Sequence, residues 1–142
     1  MPFRMHKVQV WSAEIPDRPG AAAAKLELLA RSGADLEFIF TRPLLGKPES
    51  TAIFLAPITG PEQVEAAQMA GLAPARDMTM LCVDGDNKPG LGYQLMYQLA
   101  VAGVNVRGLS ISSVGDRFAA YIALDSPDAA TQAIQLLANV AS

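Results

Sequence analysis

The sequence predicts an α+β fold built from two tandem copies of one unit. Three observations predict it: a Pro-Gly pair recurs seventy residues along the chain, a β-rich stretch precedes each pair, and a helix-like run follows it. The two loops read "DRPG" at residues 17–20 and "NKPG" at residues 87–90. Recurrence at a fixed spacing indicates a duplicated structural unit.

The repeat extends beyond the Pro-Gly pairs. The same spacing aligns four further pairs: Leu26 with Met96, Leu29 with Leu99, Gly33 with Gly103, and Asp35 with Asn105. Later, "GPEQVEAA" aligns with "SPDAATQA" at a spacing shorter by four residues, and we place the extra residues of the first copy in a turn at "PLLGKPES". We therefore expect one domain at residues 1–75 and a second at 76–142, packed together as a pseudo-dimer.

Each copy is predicted to begin with a strand and a helix. Residues 7–13 and 78–83 are β-rich stretches that end at the two loops. The apolar residues after the first loop recur at helical spacing: Ala22, Leu26, Leu29, Ala30 and Gly33. Gly33 and Gly103 mark the expected ends of the two helices, because glycine readily adopts the left-handed conformation that terminates many helices.

Two strands and a second helix complete each copy. The strand pairs are predicted at residues 36–41 with 51–56 and at residues 104–112 with 117–124, the second pair turning at Gly115-Asp116. The second helices open at Pro61 and Pro127, where the missing N–H of proline costs nothing. A last short strand at residues 72–77 gives the first copy the order βαββαβ, which is ferredoxin-like.

The second copy has only "NVAS" after its second helix, which is too short for a matching last strand. Its sheet therefore needs another edge strand. Residues 3–7 or a second chain are the two expected sources of that strand.

Composition excludes several classes of function. A net charge of -3 and 6% aromatic residues argue against a nucleic-acid partner. The single cysteine, Cys82, and the single histidine, His6, argue against a disulfide, a transition-metal cluster or a cofactor held by such ligands. No serine has a recognisable base, so we expect no enzyme activity. No apolar run approaches the roughly 18 residues of a membrane span, and the expected location is the cytoplasm.

The first helix of the second copy is unusual because residues 89–106 contain no charged residue. The corresponding stretch of the first copy holds four: Lys25, Glu27, Arg31 and Asp35. Tyr93 and Tyr97 lie one helical turn apart and share a face. A helix this apolar is usually covered. We expect either the first copy or a second chain, in a homodimer, to cover it.

The loops and helices together carry a family resemblance. The segments "IPDRPGAAAAKLELLARSGADLEFI" and "GDNKPGLGYQLMYQLAVAGVNVRGLSI" resemble the ACT domain signature, in which Asp-Arg-Pro-Gly precedes an amphipathic helix and Gly-Val-Asn-Ile enters the second strand. The likeness covers nearly the whole chain as two ACT domains in tandem. It departs from the family pattern at Asp35, where asparagine is usual, and at Lys25, where an apolar residue is usual.

The resemblance implies a regulatory protein that binds an amino acid or a related metabolite between two domains. In ACT domains the ligand lies against the loop after strand one of one domain and the start of strand two of its partner. The resemblance therefore implies these ligand-binding residues: Asp17, Arg18, Gly20 and Asp35 in the first copy, and Asn87, Lys88, Gly90 and Asn105 in the second.

Elementary chemistry supports the same loops. Unsatisfied N–H groups at a helix N-terminus attract a carboxylate, and for this reason Leu91, the expected first residue of its helix, joins the predicted site. Arg18 and Lys88 add positive charge, while Asp35 and Asn105 can accept hydrogen bonds from an ammonium group. An α-amino acid presents both groups.

We expect a regulatory protein that senses a small molecule, most simply an amino acid, as a homodimer and in contact with a biosynthetic enzyme. The alternative is a regulatory or structural subunit without a ligand, which docks onto such an enzyme through its uncharged helix.

Overall fold

The computed structural model describes residues 3–140, and these form two compact units. The first unit spans residues 9–75, and the second spans residues 76–140 together with residues 3–8. Each unit consists of one four-stranded antiparallel sheet and two helices. The predicted α+β, ferredoxin-like fold is therefore confirmed. None of the helices among the described residues combines the length and apolarity needed to cross a membrane.

The first unit follows the predicted order of elements. They are β2 (Trp11–Pro16), α1 (Ala21–Arg31), β3 (Phe38–Leu44), β4 (Lys47–Ala56), α2 (Gly60–Met69) and β5 (Ala73–Pro74). Strand β1 (Arg4–Val8) precedes them in the chain and belongs to the other unit. Strands lie in the order β3-β4-β2-β5. The short strand β5 pairs with β2, so the last strand expected in the first copy is present over two residues.

The core of the first unit lies between its sheet and its two helices. Ile53 and Leu55 of β4 are fully buried, and Leu29 of α1 and Leu72 after α2 pack against them. Complete burial of one such side chain stabilises the fold by about 1.5–3 kcal/mol. The apolar residues that recur at helical spacing in α1 thus lie on the face of the helix that packs against the sheet, as predicted.

Lys25 has a structural partner at this core. Its ammonium group donates a hydrogen bond to the backbone carbonyl of Ala70, the residue that ends α2. A cation is favourable at a helix C-terminus, where carbonyl oxygens lack intrahelical partners. Lys25 stands where an apolar residue is usual, and its hydrogen bond therefore connects α1 to the end of α2.

The second unit contains β1 (Arg4–Val8), β6 (Thr79–Asp86), α3 (Leu91–Val101), β7 (Val106–Val114), β8 (Arg117–Leu124) and α4 (Pro127–Leu137). Its strands lie in the order β1-β6-β8-β7. The N-terminal strand β1 pairs antiparallel with β6, from Arg4 opposite Asp84 to Val8 opposite Met80. Of the two expected sources for the missing edge strand, the N-terminal residues are confirmed. They hold the place that β5 holds in the first unit.

The prediction of one strand over residues 7–13 is wrong. These residues belong to two strands, β1 and β2, which lie in different sheets. Gln9 and Val10 lie between them. The Gln9 amide donates to the carbonyls of Val10 and Ala75, each at 2.9 Å, and Ala75 N–H donates to the Val10 carbonyl at 2.8 Å. A continuous β-rich pattern indicates extended backbone, but it does not indicate which sheet each residue joins.

Most residues of "PLLGKPES", where a turn was expected, lie in strands. Strand β3 runs to Leu44 and β4 begins at Lys47, so only Leu45 and Gly46 form the turn. Gly46 adopts a positive φ of 77°, which suits a tight hairpin. The pairing register shifts between Pro43 and Leu44, and this irregularity accommodates the extra residues of the first copy. The second hairpin turns at Gly115-Asp116 as predicted.

The packing of the N-terminal residues on β6 can be tested at Gly85. A Cβ built on Gly85 would lie 2.7 Å from the Cδ1 atom of Phe3, which is closer than carbon atoms approach. We expect Gly85→Ala to lower the free energy of unfolding by about 1–3 kcal/mol, because overpacking displaces neighbouring groups. In a Phe3→Ala background the same substitution should cost under about 0.5 kcal/mol. Urea unfolding of the four proteins measures the coupling, and equal costs in both backgrounds would contradict this contact.

Candidate functional site

The loops at residues 17–20 and 87–90 have the same backbone conformation. Gly20 has φ 88° and ψ −10°, and Gly90 has φ 80° and ψ 2°. Ala21 N–H donates to the Arg18 carbonyl at 3.3 Å, and Leu91 N–H donates to the Lys88 carbonyl at 3.4 Å. Proline at the second position and a positive φ at the third identify a type II β-turn. The duplicated sequence thus builds a duplicated turn.

Glycine is required at these turns by backbone conformation and not by crowding. A Cβ built on Gly20 or on Gly90 would meet no atom within 4 Å. The positive φ itself disfavours any side chain other than hydrogen. Both glycines are exposed, so the space in front of each turn is open.

Helices α1 and α3 begin directly after these turns, and no side chain caps either N-terminus. Helix α4 differs, because Ser126 accepts a hydrogen bond from Ala129 N–H at 3.1 Å. The first N–H groups of a helix lack intrahelical acceptors, and the helix dipole adds positive potential there. The first helix of each unit therefore offers amide donors to an external acceptor.

Each turn carries one exposed cation. Among residues 3–140, neither Arg18 nor Lys88 has an ion-pair partner. Two aspartates precede the second turn, and both lie in β6 with partners. Asp84 binds Arg4 at 2.7 Å and Arg117 at 3.0 Å, and Asp86 binds Arg117 at 2.9 Å. Since these two aspartates face two arginines, they leave the charge of Lys88 unpaired.

The hairpin of each unit holds the turn in place. Asp17 N–H donates to the Glu49 carbonyl at 2.8 Å, and Asn87 N–H donates to the Asp116 carbonyl at 2.8 Å. No local sequence pattern indicates these long-range contacts, although the turn that contains Asp116 was predicted. The end of each hairpin is consequently part of the surroundings of the site.

In the first unit, side chains reinforce this attachment. The Lys47 ammonium lies 3.1 Å from Glu14 Oε1, and Ser50 Oγ donates to Glu14 Oε2 at 3.1 Å. The hydrogen bond from Lys47, followed by that from Ser50 and the charge of Lys47, lowers the pKa of Glu14 below its ordinary value of 4.5. Strand β2 is thereby tied to β4 close to Glu49.

The predicted site residues fall into two separate groups within each unit. Asp35 follows α1 and Asn105 follows α3, whereas the turns precede these helices. Each helix has 11 residues and so separates the two groups by about 16 Å along its axis. Asp35 and Asn105 are exposed. Within one unit, the turn therefore does not lie close to the residue just before the next strand, which is Asp35 in the first unit and Asn105 in the second. We call these two the strand-entry residues.

Leu91 occupies a different position from the other predicted residues. Its side chain is 2% exposed and lies in the core with Leu95 and Leu99. Only its backbone faces the turn, and its N–H donates to the Lys88 carbonyl. The side chain of Leu91 fixes the start of α3 on the sheet.

Solved structures share this fold over most of the chain. A protein from Bacteroides thetaiotaomicron matches with a TM-score of 0.75 and 12% identity over 92% of this chain and 88% of its own. The ligand-free regulatory subunit of aspartate kinase from Thermus thermophilus matches with a TM-score of 0.62 and 18% identity over 96% and 97%. E. coli aspartokinase III, in complex with aspartate and ADP, matches with a TM-score of 0.59 and 16% identity over 95% and 32%.

At the level of the sequence, no protein-family model matches the chain and no curated protein matches it. The structural likeness therefore establishes the fold. The fold that the resemblance to tandem ACT domains implies is confirmed, because the similar chains include a regulatory subunit of nearly the same extent. This fold is one that regulatory subunits use.

The conformational role of the two glycines can be tested by stability. We expect Gly20→Ala and Gly90→Ala each to lower the free energy of unfolding by about 1–2 kcal/mol, because alanine is strained at positive φ. Asparagine tolerates this conformation, so Gly20→Asn and Gly90→Asn should cost about half as much. Chemical denaturation measures all four. Alanine variants as stable as the original chain would contradict the assignment of type II turns.

The attachment of the first hairpin predicts a pH dependence. Because the pKa of Glu14 is depressed in the folded state, its contribution to stability is present above pH 4.5 and is lost as the pH falls through the folded-state value. Glu14→Gln and Lys47→Gln should each destabilise the protein at pH 7, and their coupling should disappear at low pH. Thermal unfolding across this range measures the coupling, and coupling that persists in acid would contradict the ion pair.

Proposed function

We propose that this protein is a non-catalytic regulatory protein that binds an amino acid at the turns before α1 and α3, and that it acts in the cytoplasm as a homodimer. The observation that carries the proposal is the duplicated turn: in both units an uncapped helix N-terminus lies beside an exposed, unpaired cation. Helix N-termini and cations together favour a bound anion. The fold shared with a regulatory subunit of aspartate kinase supports the regulatory role.

The chemistry of the two residue groups favours an α-amino acid. Amide donors with Lys88 or Arg18 suit a carboxylate, and the carboxamide of Asn105 or the carboxylate of Asp35 accepts hydrogen bonds from an ammonium group. Aspartate is the first amino acid to examine, because one structure with this fold is a complex with aspartate and ADP.

A complete site needs two units, since the turn and the strand-entry residue of one unit lie at opposite ends of a helix. In a homodimer with antiparallel α3 helices, the turn of one chain would approach Asn105 of the other chain. The ligand would then contact both chains, and its binding would be linked to their association.

A second function is favoured by one observation. Tyr93 and Tyr97 are 71% and 51% exposed on α3, and Val101 is 67% exposed one turn further. Exposed apolar stripes of this kind often mark interaction surfaces. In this alternative the protein docks onto a biosynthetic enzyme through α3 and binds no small molecule.

Calorimetry and thermal unfolding with each of the twenty amino acids, beginning with aspartate, test the first function. A ligand at one hundred times its dissociation constant should stabilise the protein by about 2.7 kcal/mol and raise Tm by roughly 5–10 °C. We expect Lys88→Ala and Asn105→Ala to abolish or strongly weaken the response.

Lys7→Ala is the matched control, because Lys7 is an exposed cation of the same unit that pairs opposite Leu81, near the other end of β6. It should leave the response unchanged. No heat and no shift with any amino acid would contradict the ligand proposal and favour the docking subunit. A response that Lys88→Ala and Asn105→Ala leave intact would contradict the location of the site.

A further inference from the structure

Strand β6 ends in a group of charged side chains next to the turn at residues 87–90. Arg117, the first residue of β8, pairs opposite Asp86, the last residue of β6. Its guanidinium donates to Asp86 Oδ1 at 2.9 Å and to Asp84 Oδ1 at 3.0 Å. One arginine side chain therefore holds both carboxylates that precede the turn in this strand.

Arg4 of β1 completes this group. Its guanidinium donates twice to Asp84 Oδ1, at 2.9 Å and 2.7 Å. Asp84 thus has two arginine partners, whereas Asp86 has one among residues 3–140, which is Arg117. Loss of Arg4 would leave both aspartates bound to Arg117. Loss of Arg117 would leave Asp86 without a cation.

The position of Asp86 makes its charge important for the turn, because Lys88 follows only two residues later. Consecutive Cα atoms are about 3.8 Å apart, so the Cα atoms of these two residues are separated by at most roughly 7.6 Å. Exposed charges interact over about 8 Å at physiological ionic strength. A free Asp86 carboxylate would therefore attract the Lys88 ammonium group and repel a carboxylate bound beside it. The ion pair with Arg117 suppresses both effects.

Arg117 also lies next to the backbone contact that holds the turn. It directly follows Asp116, whose carbonyl accepts a hydrogen bond from Asn87 N–H at 2.8 Å. The ion pair with Asp86 and this hydrogen bond thus join the end of β6 to the second hairpin at consecutive residues. Because the side chain of Arg117 is 48% exposed, its ion pairs contribute little to the stability of the fold. Their main effect is on the neighbouring turn.

The first unit lacks both members of the Asp86–Arg117 pair. Pro16 is the last residue of β2, as Asp86 is of β6, and Pro16 pairs opposite Ser50, as Asp86 pairs opposite Arg117. The arginine is therefore present in the unit whose strand ends in an aspartate and absent from the unit whose strand ends in a proline. This correspondence indicates that the arginine serves the aspartate beside the turn.

We propose that Arg117 is a positioning residue for the ligand site of the second unit. It does not touch the ligand. It binds Asp84 and Asp86, so the Lys88 ammonium group stays available to a ligand carboxylate, and it keeps the end of the hairpin against Asn87. The inference rests on the ligand site proposed above, and it assigns a role in that site to a residue outside both the turn and the strand-entry position.

Calorimetry of the full chain tests this role, and the probe is the amino acid that gives the strongest heat of the twenty, beginning with aspartate. We expect Arg117→Gln to raise its dissociation constant about tenfold, because the released Asp86 carboxylate pairs with Lys88 and repels the ligand carboxylate. Adding Asp86→Asn to Arg117→Gln should restore the dissociation constant to within about twofold of the original, since Asp84 keeps Arg4 as its partner. Circular dichroism of both variants confirms that they fold.

Arg4→Gln is the matched control, because it removes the same charge from the same group and leaves Asp86 paired. We expect it to change the dissociation constant by less than about twofold. No binding of any amino acid to the original chain would overturn the ligand site and this role together. Where the original chain binds, unchanged affinity of Arg117→Gln would overturn the role of Arg117 alone. Failure of Asp86→Asn to restore binding, or an equal loss in Arg4→Gln, would also overturn it, because lost structure or lost overall charge would then explain the effect.

Discussion

The apolar face of each sheet must be covered, and the rest of the structure follows from the way in which two helices cover it. In the first unit Leu29 and Leu72 pack on Ile53 and Leu55, all of which are buried. To lie on the sheet, α1 must reverse direction immediately after β2. The reversal is made by a type II turn, and that turn requires a glycine at positive φ. An exposed helix N-terminus beside a cation is therefore a geometric consequence of covering the sheet, and it is available for binding.

The chain contains two copies of this arrangement with different surfaces. The buried positions keep their character, since Leu29 and Leu99 are both almost fully buried. The exposed positions of α1 carry an ion pair, whereas those of α3 carry tyrosines and valine. Core residues are constrained by packing density and tolerate little change, but exposed residues are constrained only by what contacts them. The two copies thus differ at exposed positions, which core packing does not constrain.

Much of the fold could be predicted from local patterns, because local physics determines them. Pro19-Gly20, Gly33 and Gly115 mark turns and helix ends whose backbone angles depend on a few neighbouring residues. The sheet that receives residues 4–8 and the hairpin contacts at Glu49 and Asp116 depend on residues far along the chain. The two turns of the candidate site were predictable. The separation of each turn from Asp35 or Asn105 follows from the length of the helix between them.

Helix α3 connects the two proposals of ligand binding and association. Its N-terminus lies at the turn with Lys88, and its exposed face carries Tyr93, Tyr97 and Val101. A rigid helix of 11 residues cannot shift at one end without moving the other. A ligand that touched only one chain in the same way in monomer and dimer would leave the association unchanged, however tightly it bound. A ligand held between Lys88 of one chain and Asn105 of the other makes contacts that the monomer lacks, so its binding free energy necessarily favours the dimer.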